Sequence, residues 1–165
     1  MACYLWHLFM WGKHPMSSSQ EVSVRPLMPA DREGWEILWR GYLDFYQSEL
    51  DPAQFDYTFQ RLSQPDYVSM FGYVAEYQGK LVGLVNCINH DHGWHMQQVV
   101  YLQDLYVDDS ARKLGIGQKL VEAVYAYADQ NDKANVYWTT KTSNHTARKL
   151  YDRIGVQTDF IKYQR

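Results

Sequence analysis

The stretch "DDSARKLGIGQKL", Asp108 to Leu120, carries Gly115 and Gly117 in a Gly-x-Gly spacing, with Arg112 three residues ahead of the first glycine. Its flanks decide how it is read. The segment before it, "VVYLQDLYV", is a strand by its alternation, with Tyr101, Gln103, Leu105 and Val107 on one face and Leu102, Asp104 and Tyr106 on the other. The segment after it repeats apolar residues at Ile116, Leu120, Val124 and Tyr127, which is helical spacing. A loop between strand and helix exposes the N–H groups of Leu114 to Gln118 at the positive end of the helix dipole, where an anion is stabilised. Gly115 and Gly117 let oxygen atoms approach where a Cβ would collide, and Arg112 and Lys113 add positive charge. The loop is therefore expected to hold phosphate.

Two common phosphate loops are excluded. A Walker loop needs GxxxxGK[ST], which the chain lacks, and a dinucleotide fingerprint needs GxGxxG early in a parallel βαβ unit. Here the glycines follow strands that read as an antiparallel meander. "EVSVRPL" alternates up to Pro26 and predicts a first strand, Glu21 to Arg25. Trp35, Leu38, Trp39, Tyr42, Leu43 and Tyr46 then predict a helix with one aromatic stripe, capped by Asp31. "DPAQFDYTFQRL" predicts a shorter helix, with Pro52 in its first turn. "YVSMFGYVAEYQGKLVGLVNCIN" reads as a hairpin turning at Gln78, Gly79 and Lys80. After the glycine loop and its helix come a buried strand "NVYWTT", a helix "SNHTARKLYDRIG" ended by Gly155, and a last strand near Thr158 to Tyr163.

Bulk properties narrow the function. A chain of 165 residues is one domain with a core of its own. Its net charge of −3 speaks against a nucleic-acid binder and suits a cationic substrate. Only Cys3 and Cys87 are present, so a reducing, cytoplasmic setting is expected. The apolar run "MACYLWHLFMWGKHP" is too short to span a bilayer and lacks the leading basic charge of a signal peptide. Residues 1–15 are thus expected to be a leader, with the domain over 16–165. His90, His92 and His95 match no common zinc spacing, so no metal is expected, and Asp91 and Trp94 in that loop are candidate substrate contacts.

Arg112, Lys113, Leu114, Gly115, Ile116 and Gly117, placed after "LQDLYV", read as R-x-x-G-x-G, and this resembles the acetyl-coenzyme A loop of the GNAT superfamily of N-acetyltransferases. "SNHTARKLYDRIG" resembles a later motif of that superfamily, through Asn144, Ala147, Leu150 and Tyr151. The likeness runs from about Val22 to the C-terminus and looks most like the fungal histone and polyamine acetyltransferase type and its bacterial relatives. It implies an α+β, three-layer fold: a mixed, mostly antiparallel twisted sheet of six to seven strands, helices on both faces, and a splayed central strand pair.

The resemblance also assigns a site. Gln103 to Val107 would part from the strand near Tyr137, and the slot would take the pantetheine arm on backbone groups of Leu105, Tyr106 and Val107. Arg112 to Gln118 would hold the pyrophosphate, with Asn144 and Tyr151 completing the cofactor-binding set. The reaction implied is direct attack of a primary amine on the thioester. A free amine has a pKa near 10, so roughly one molecule in a thousand is unprotonated at neutral pH and its proton must be removed. Tyr151 matches the superfamily's acid for the departing thiolate. Polyamine-acetylating relatives often carry Glu where this chain has Gln103, which accepts no proton at neutral pH. Gln103 stays a candidate substrate contact, and Asp104 is the nearest carboxylate, expected on the other sheet face unless a bulge rotates it, as an anchor or relay on the amine side, set against a purely structural role satisfied by backbone N–H groups.

The leading expectation is acetylation of a small primary amine, a polyamine or amino acid. Protein or histone lysine acetylation, with a basic peptide as partner, stands as the alternative. A catalytically weak acetyl-coenzyme A sensor is the reading from another class. No nucleic acid and no membrane is expected as a partner. A homodimer is expected through the first helix or the final "DFIKYQR".

Overall fold

A computed structural model describes residues 21–165. The expected leader, residues 1–15, and the first residues of the domain after it lie outside the described residues. The chain runs β1 (Ser23–Pro26), a 3₁₀ turn (Pro29–Asp31), α1 (Arg32–Phe45), α2 (Pro52–Ser63), β2 (Met70–Tyr77), β3 (Lys80–His90) and β4 (Val99–Val107). A second 3₁₀ turn (Asp109–Ala111), α3 (Ile116–Gln130), β5 (Val136–Trp138) and α4 (His145–Ile154) follow. The sheet order is β1-β2-β3-β4-β5. The first three pairings are antiparallel, and β4 and β5 run parallel.

Each hydrophobic stripe finds a sheet face. Trp35, Leu38, Trp39 and Leu43 of α1 join Phe55, Phe59 and Leu62 of α2 over Val74 and Leu84 on one side. Ile116, Leu120, Val121 and Val124 of α3 pack with Val85, Cys87, Val100 and Leu102 on the other. Two apolar layers on one sheet give the expected three-layer arrangement, and fully burying each large side chain contributes about 1.5–3 kcal/mol. The β2–β3 hairpin turns on Gln78 and Gly79, both with positive φ (52° and 73°), which suits the right-handed strand twist.

Several expectations are corrected. Among the described residues the sheet has five strands, not about six to seven: residues 156–165 form no strand, and Phe160, Ile161 and Tyr163 among them lie exposed rather than packed on the core. β5 is three half-exposed residues rather than a buried strand. Asp31 occupies the N-cap position of α1 without bonding its first turn. Its carboxylate instead takes the Met28 N–H at 2.8 Å and the Arg25 guanidinium at 2.7 and 2.8 Å, which ties β1 to the helix entry.

The most consequential correction lies in β4. Leu102 pairs with Cys87 and Asp104 with Asn86, so Gln103 is an extra residue in the ladder, a β-bulge. The bulge breaks the strict alternation. Leu102 now shares the α3 face with Leu105 and Val107, and Asp104 turns to the α1 face with Tyr106.

Candidate functional site

β4 and β5 pair only from Val100 to Leu102, opposite Val136 to Trp138, and then β5 ends. The stretch of β4 from Gln103 to Val107 continues with its β5-side edge unpaired. This is the splay, and it begins at the bulge. Among the described residues, backbone groups of Leu105, Tyr106 and Val107 on that edge have no strand partner, which fits the hydrogen-bonding needs of a pantetheine amide.

The glycine loop stands at the end of that edge. Gly115 is the N-cap of α3 with φ 74°, and Lys113 before it has φ 70°. A Cβ on Gly115 would meet nothing within 4 Å, so the glycine is needed for its left-handed backbone. Gly117 differs, because a Cβ there would press Leu150 of α4 at 3.2 Å. The two glycines thus serve a turn and a helix contact, which refines the expectation that both make room for oxygen. The first helical bond of this end joins the Lys119 N–H to the Gly115 carbonyl at 3.1 Å, so the N–H groups of Ile116, Gly117 and Gln118 precede it. The Ile116 side chain is core, Leu114 is exposed, and Gln118 donates to Glu122 at 2.8 Å. Arg112 folds back, with Nε 3.5 Å from the Val107 carbonyl and its guanidinium paired with Asp109.

α4 closes the slot from the other side. Asn144 caps it, accepting the Ala147 N–H at 3.3 Å and donating to Thr140 at 3.2 Å. Tyr151, further along the helix, packs its ring 5.4 Å from Trp138 at the end of β5. Burial raises its phenol, and the nearby Tyr46 adds to the effect, to about 12. At neutral pH it is a protonated donor.

Asp104 lies deep beneath the bulge on the α1 side. Its Oδ2 accepts Trp39 Nε1 at 3.2 Å and Asn86 Nδ2 at 3.0 Å. Asn86 in turn accepts Trp35 Nε1 at 3.2 Å, so two tryptophans of α1 are bonded to two buried polar residues of the sheet. Desolvation raises the Asp104 carboxyl, and hydrogen bonds from Asn86, Tyr42, Trp39 and Gln103 oppose the rise. Of the two roles weighed for Asp104, backbone N–H groups do not supply its bonds; side chains do.

Around this carboxyl stand tyrosines of α1 and of the sheet, of which the helical stripe foreshadows only the Tyr42–Tyr46 pair. Tyr42 lies 4.9 Å from Tyr46 along α1, and Tyr101 stacks on Tyr137 at 5.1 Å. Burial beside Asp104 pushes the Tyr42 phenol far above its ordinary value. Asp91 and Trp94 are not brought to this group. They sit on the β3–β4 loop, at the end of β4 remote from the glycines, where Asp91 accepts Gln98 at 3.0 Å and Trp94 is exposed. His90 links that loop inward, 2.9 Å from the Tyr137 hydroxyl.

Known proteins agree with this geometry. A D-amino-acid N-acetyltransferase of Saccharomyces cerevisiae is 36% identical over 149 residues, covering 89% of this chain and 92% of its own. An uncharacterized N-acetyltransferase of Bacillus subtilis is 28% identical over 146 residues, 86% of this chain and 95% of its own. Among solved structures, a ribosomal-protein-alanine N-acetyltransferase from Brucella melitensis superposes with TM-score 0.75 at 20% identity, covering 88% of this chain and 99% of that one. An aminoglycoside N-acetyltransferase in complex with CoA gives TM-score 0.75 at 19% identity, covering 88% and 94%. These two likenesses speak for the fold. The acetyltransferase (GNAT) family profile matches residues 33–156, and the chain belongs to that family as an N-acetyltransferase.

Proposed function

We propose that the protein transfers the acetyl group of acetyl-coenzyme A to the primary amine of a small molecule, of amino-acid or polyamine type, by direct attack. The observation that carries this is the unpaired edge of β4 from Gln103 to Val107, with the α3 N-terminus at one end and Tyr151 across from it. GNAT acetyltransferases use acetyl-coenzyme A, and the residues present fit it: Leu105 to Val107 for the pantetheine, Arg112 to Gln118 for the pyrophosphate, Asn144 and Tyr151 at the thioester end. When bound, the cofactor supplies the acetyl thioester. Tyr151 would be placed to give its proton to the leaving sulfur, and the amine's proton would pass through the Tyr42 hydroxyl to the Asp104 carboxylate.

A small acceptor is favoured by the likeness to a relative named for D-amino acids, which the chain matches at 36% identity over 92% of that relative's length. The same reading has the protein work in the cytoplasm as a homodimer. Thiol release from acetyl-coenzyme A, followed with a panel of primary amines, amino acids and a lysine peptide, tests it. Turnover of small amines above the peptide supports the proposal, and tight cofactor binding with no turnover of any amine defeats it.

A further inference from the structure

A cavity opens where the C-terminal end of α1 meets the loop before α4, lined by Phe45, Lys141, Ser143, Asn144, His145 and Thr146. It lies at the mouth of the splay. β5 stops at Trp138, three residues before Lys141, and its early end lets α1 and α4 approach across the gap from opposite faces of the sheet. The Lys141 ammonium sits 5.0 Å from the centre of the Tyr46 ring. Tyr46 in turn touches Tyr42, which stands beside Asp104. Among the described residues, the Lys141 ammonium has no carboxylate within salt-bridge range and no hydrogen-bond partner. A cation is thus held at the acceptor entrance on an aromatic ring, one side chain away from the proposed chemistry.

We propose that Lys141 is a specificity-determining residue, pairing with a carboxylate carried by the acceptor, so that the substrates are amino acids and not polyamines. The inference rests on the acceptor reading given above. An α-amino acid places its amine two bonds from its carboxylate carbon. With the carboxylate on Lys141 over Tyr46, the amine is directed inward past Tyr46 toward Tyr42 and the thioester slot. A diamine instead meets a like charge at the entrance, which lowers its binding. The hydroxyls of Ser143 and Thr146 line the same cavity and can donate to the second carboxylate oxygen.

The test uses the full chain and matched acceptors that differ by the carboxylate alone: phenylalanine with phenethylamine, and lysine with 1,5-diaminopentane, each amino acid as both enantiomers. The expected result is a kcat/KM on the order of ten- to a hundredfold higher for the preferred amino-acid enantiomer than for its decarboxylated partner. Lys141→Met should collapse that ratio toward one, Lys141→Glu should favour the diamine, and Lys141→Arg should restore the amino-acid preference. A wild-type preference for the decarboxylated amines, or a ratio unmoved in Lys141→Met, overturns the inference and leaves the acetyltransferase reading standing. A rise in the KM for acetyl-coenzyme A without a change in the acceptor ratio assigns Lys141 to the donor side and equally overturns it. If no acceptor of either kind is turned over while the cofactor still binds, the acceptor reading itself fails, and this inference with it.

Discussion

Tyr151, the acid proposed above, sits where its proton is firmly held. Its phenol is screened from water, and burial followed by the nearby Tyr46 holds the proton on it up to about 12. A donor this firmly protonated stays ready over the whole working range. Tyr151→Phe is expected to lower kcat about 100-fold while acetyl-coenzyme A affinity holds, as measured by steady-state kinetics and cofactor titration. In the wild type, log kcat should show no alkaline fall from this residue below about pH 11. Asp104 is the opposite kind of residue, one whose charge is costly where it stands. Its folded carboxyl is raised by desolvation, so the folded state holds its proton where the unfolded chain, with a carboxyl at about 3.9, has released it. The folded state then binds more protons in that window, and stability falls as pH rises through it. Asp104→Asn removes this titration. Its thermal midpoint relative to wild type should therefore climb as the pH is raised above about 4. A parallel offset at every pH would show that Asp104 carries no such penalty.

At the scale of elements, the site is made by where strands stop and how helices abut. β5 ends at Trp138, whose ring backs Tyr151, and the chain leaving α4 passes so close that a Cβ on Gly155 would lie 2.6 Å from that ring. Gly155→Ala should push Trp138 aside, costing about 1–3 kcal/mol in urea unfolding and lowering kcat together. Gly93→Ala, where a Cβ meets nothing within 4 Å, is the neutral control. Helices α1, α2, α3 and α4 were legible in the sequence because each carries an apolar stripe at helical spacing, and the glycine loop was legible because its flanks change period. The bulge at Gln103 was not. Alternation is a property of an unbroken ladder, and one inserted residue reverses faces without leaving a mark in the sequence. For that reason Asp104 reads in sequence only as the nearest carboxylate, while its partners Trp39 and Asn86, which lie 65 and 18 residues away, read as stripe and strand. Lys141 was missed for a related reason: a lone lysine after a strand carries no periodic signal, and its meaning arises only when α1 is brought beside α4.

Among the described residues, exposed apolar side chains lie on α1 at Ile37 and Phe45, on the β3–β4 loop at Trp94 and Met96, and after Gly155. The aromatic stripe of α1, one of two surfaces expected to pair copies, is taken up by the sheet, with Trp35 and Trp39 buried against it. Residues after Gly155 are the reverse case. Val156, Phe160, Ile161 and Tyr163 are exposed, and the side-chain bond that ties this segment back joins Arg148 to Gln157 at 3.2 Å. Among the described residues β5 is a terminal strand of the sheet. Exposed apolar side chains and an open strand edge are each relieved when a second copy covers them. Of the two surfaces expected to pair copies, we propose this segment as the contact. Sedimentation velocity at micromolar concentration should show a dimer for the full chain and a monomer once residues 156–165 are removed, with the circular dichroism of the remaining α/β core retained. A monomer for the full chain, or a dimer that survives the truncation, removes the segment from the interface. Because Arg148 and Tyr151 lie on α4, which leads into this segment, and Arg148 bonds Gln157, loss of the dimer should also weaken the slot, read as a higher KM for acetyl-coenzyme A in the truncated chain.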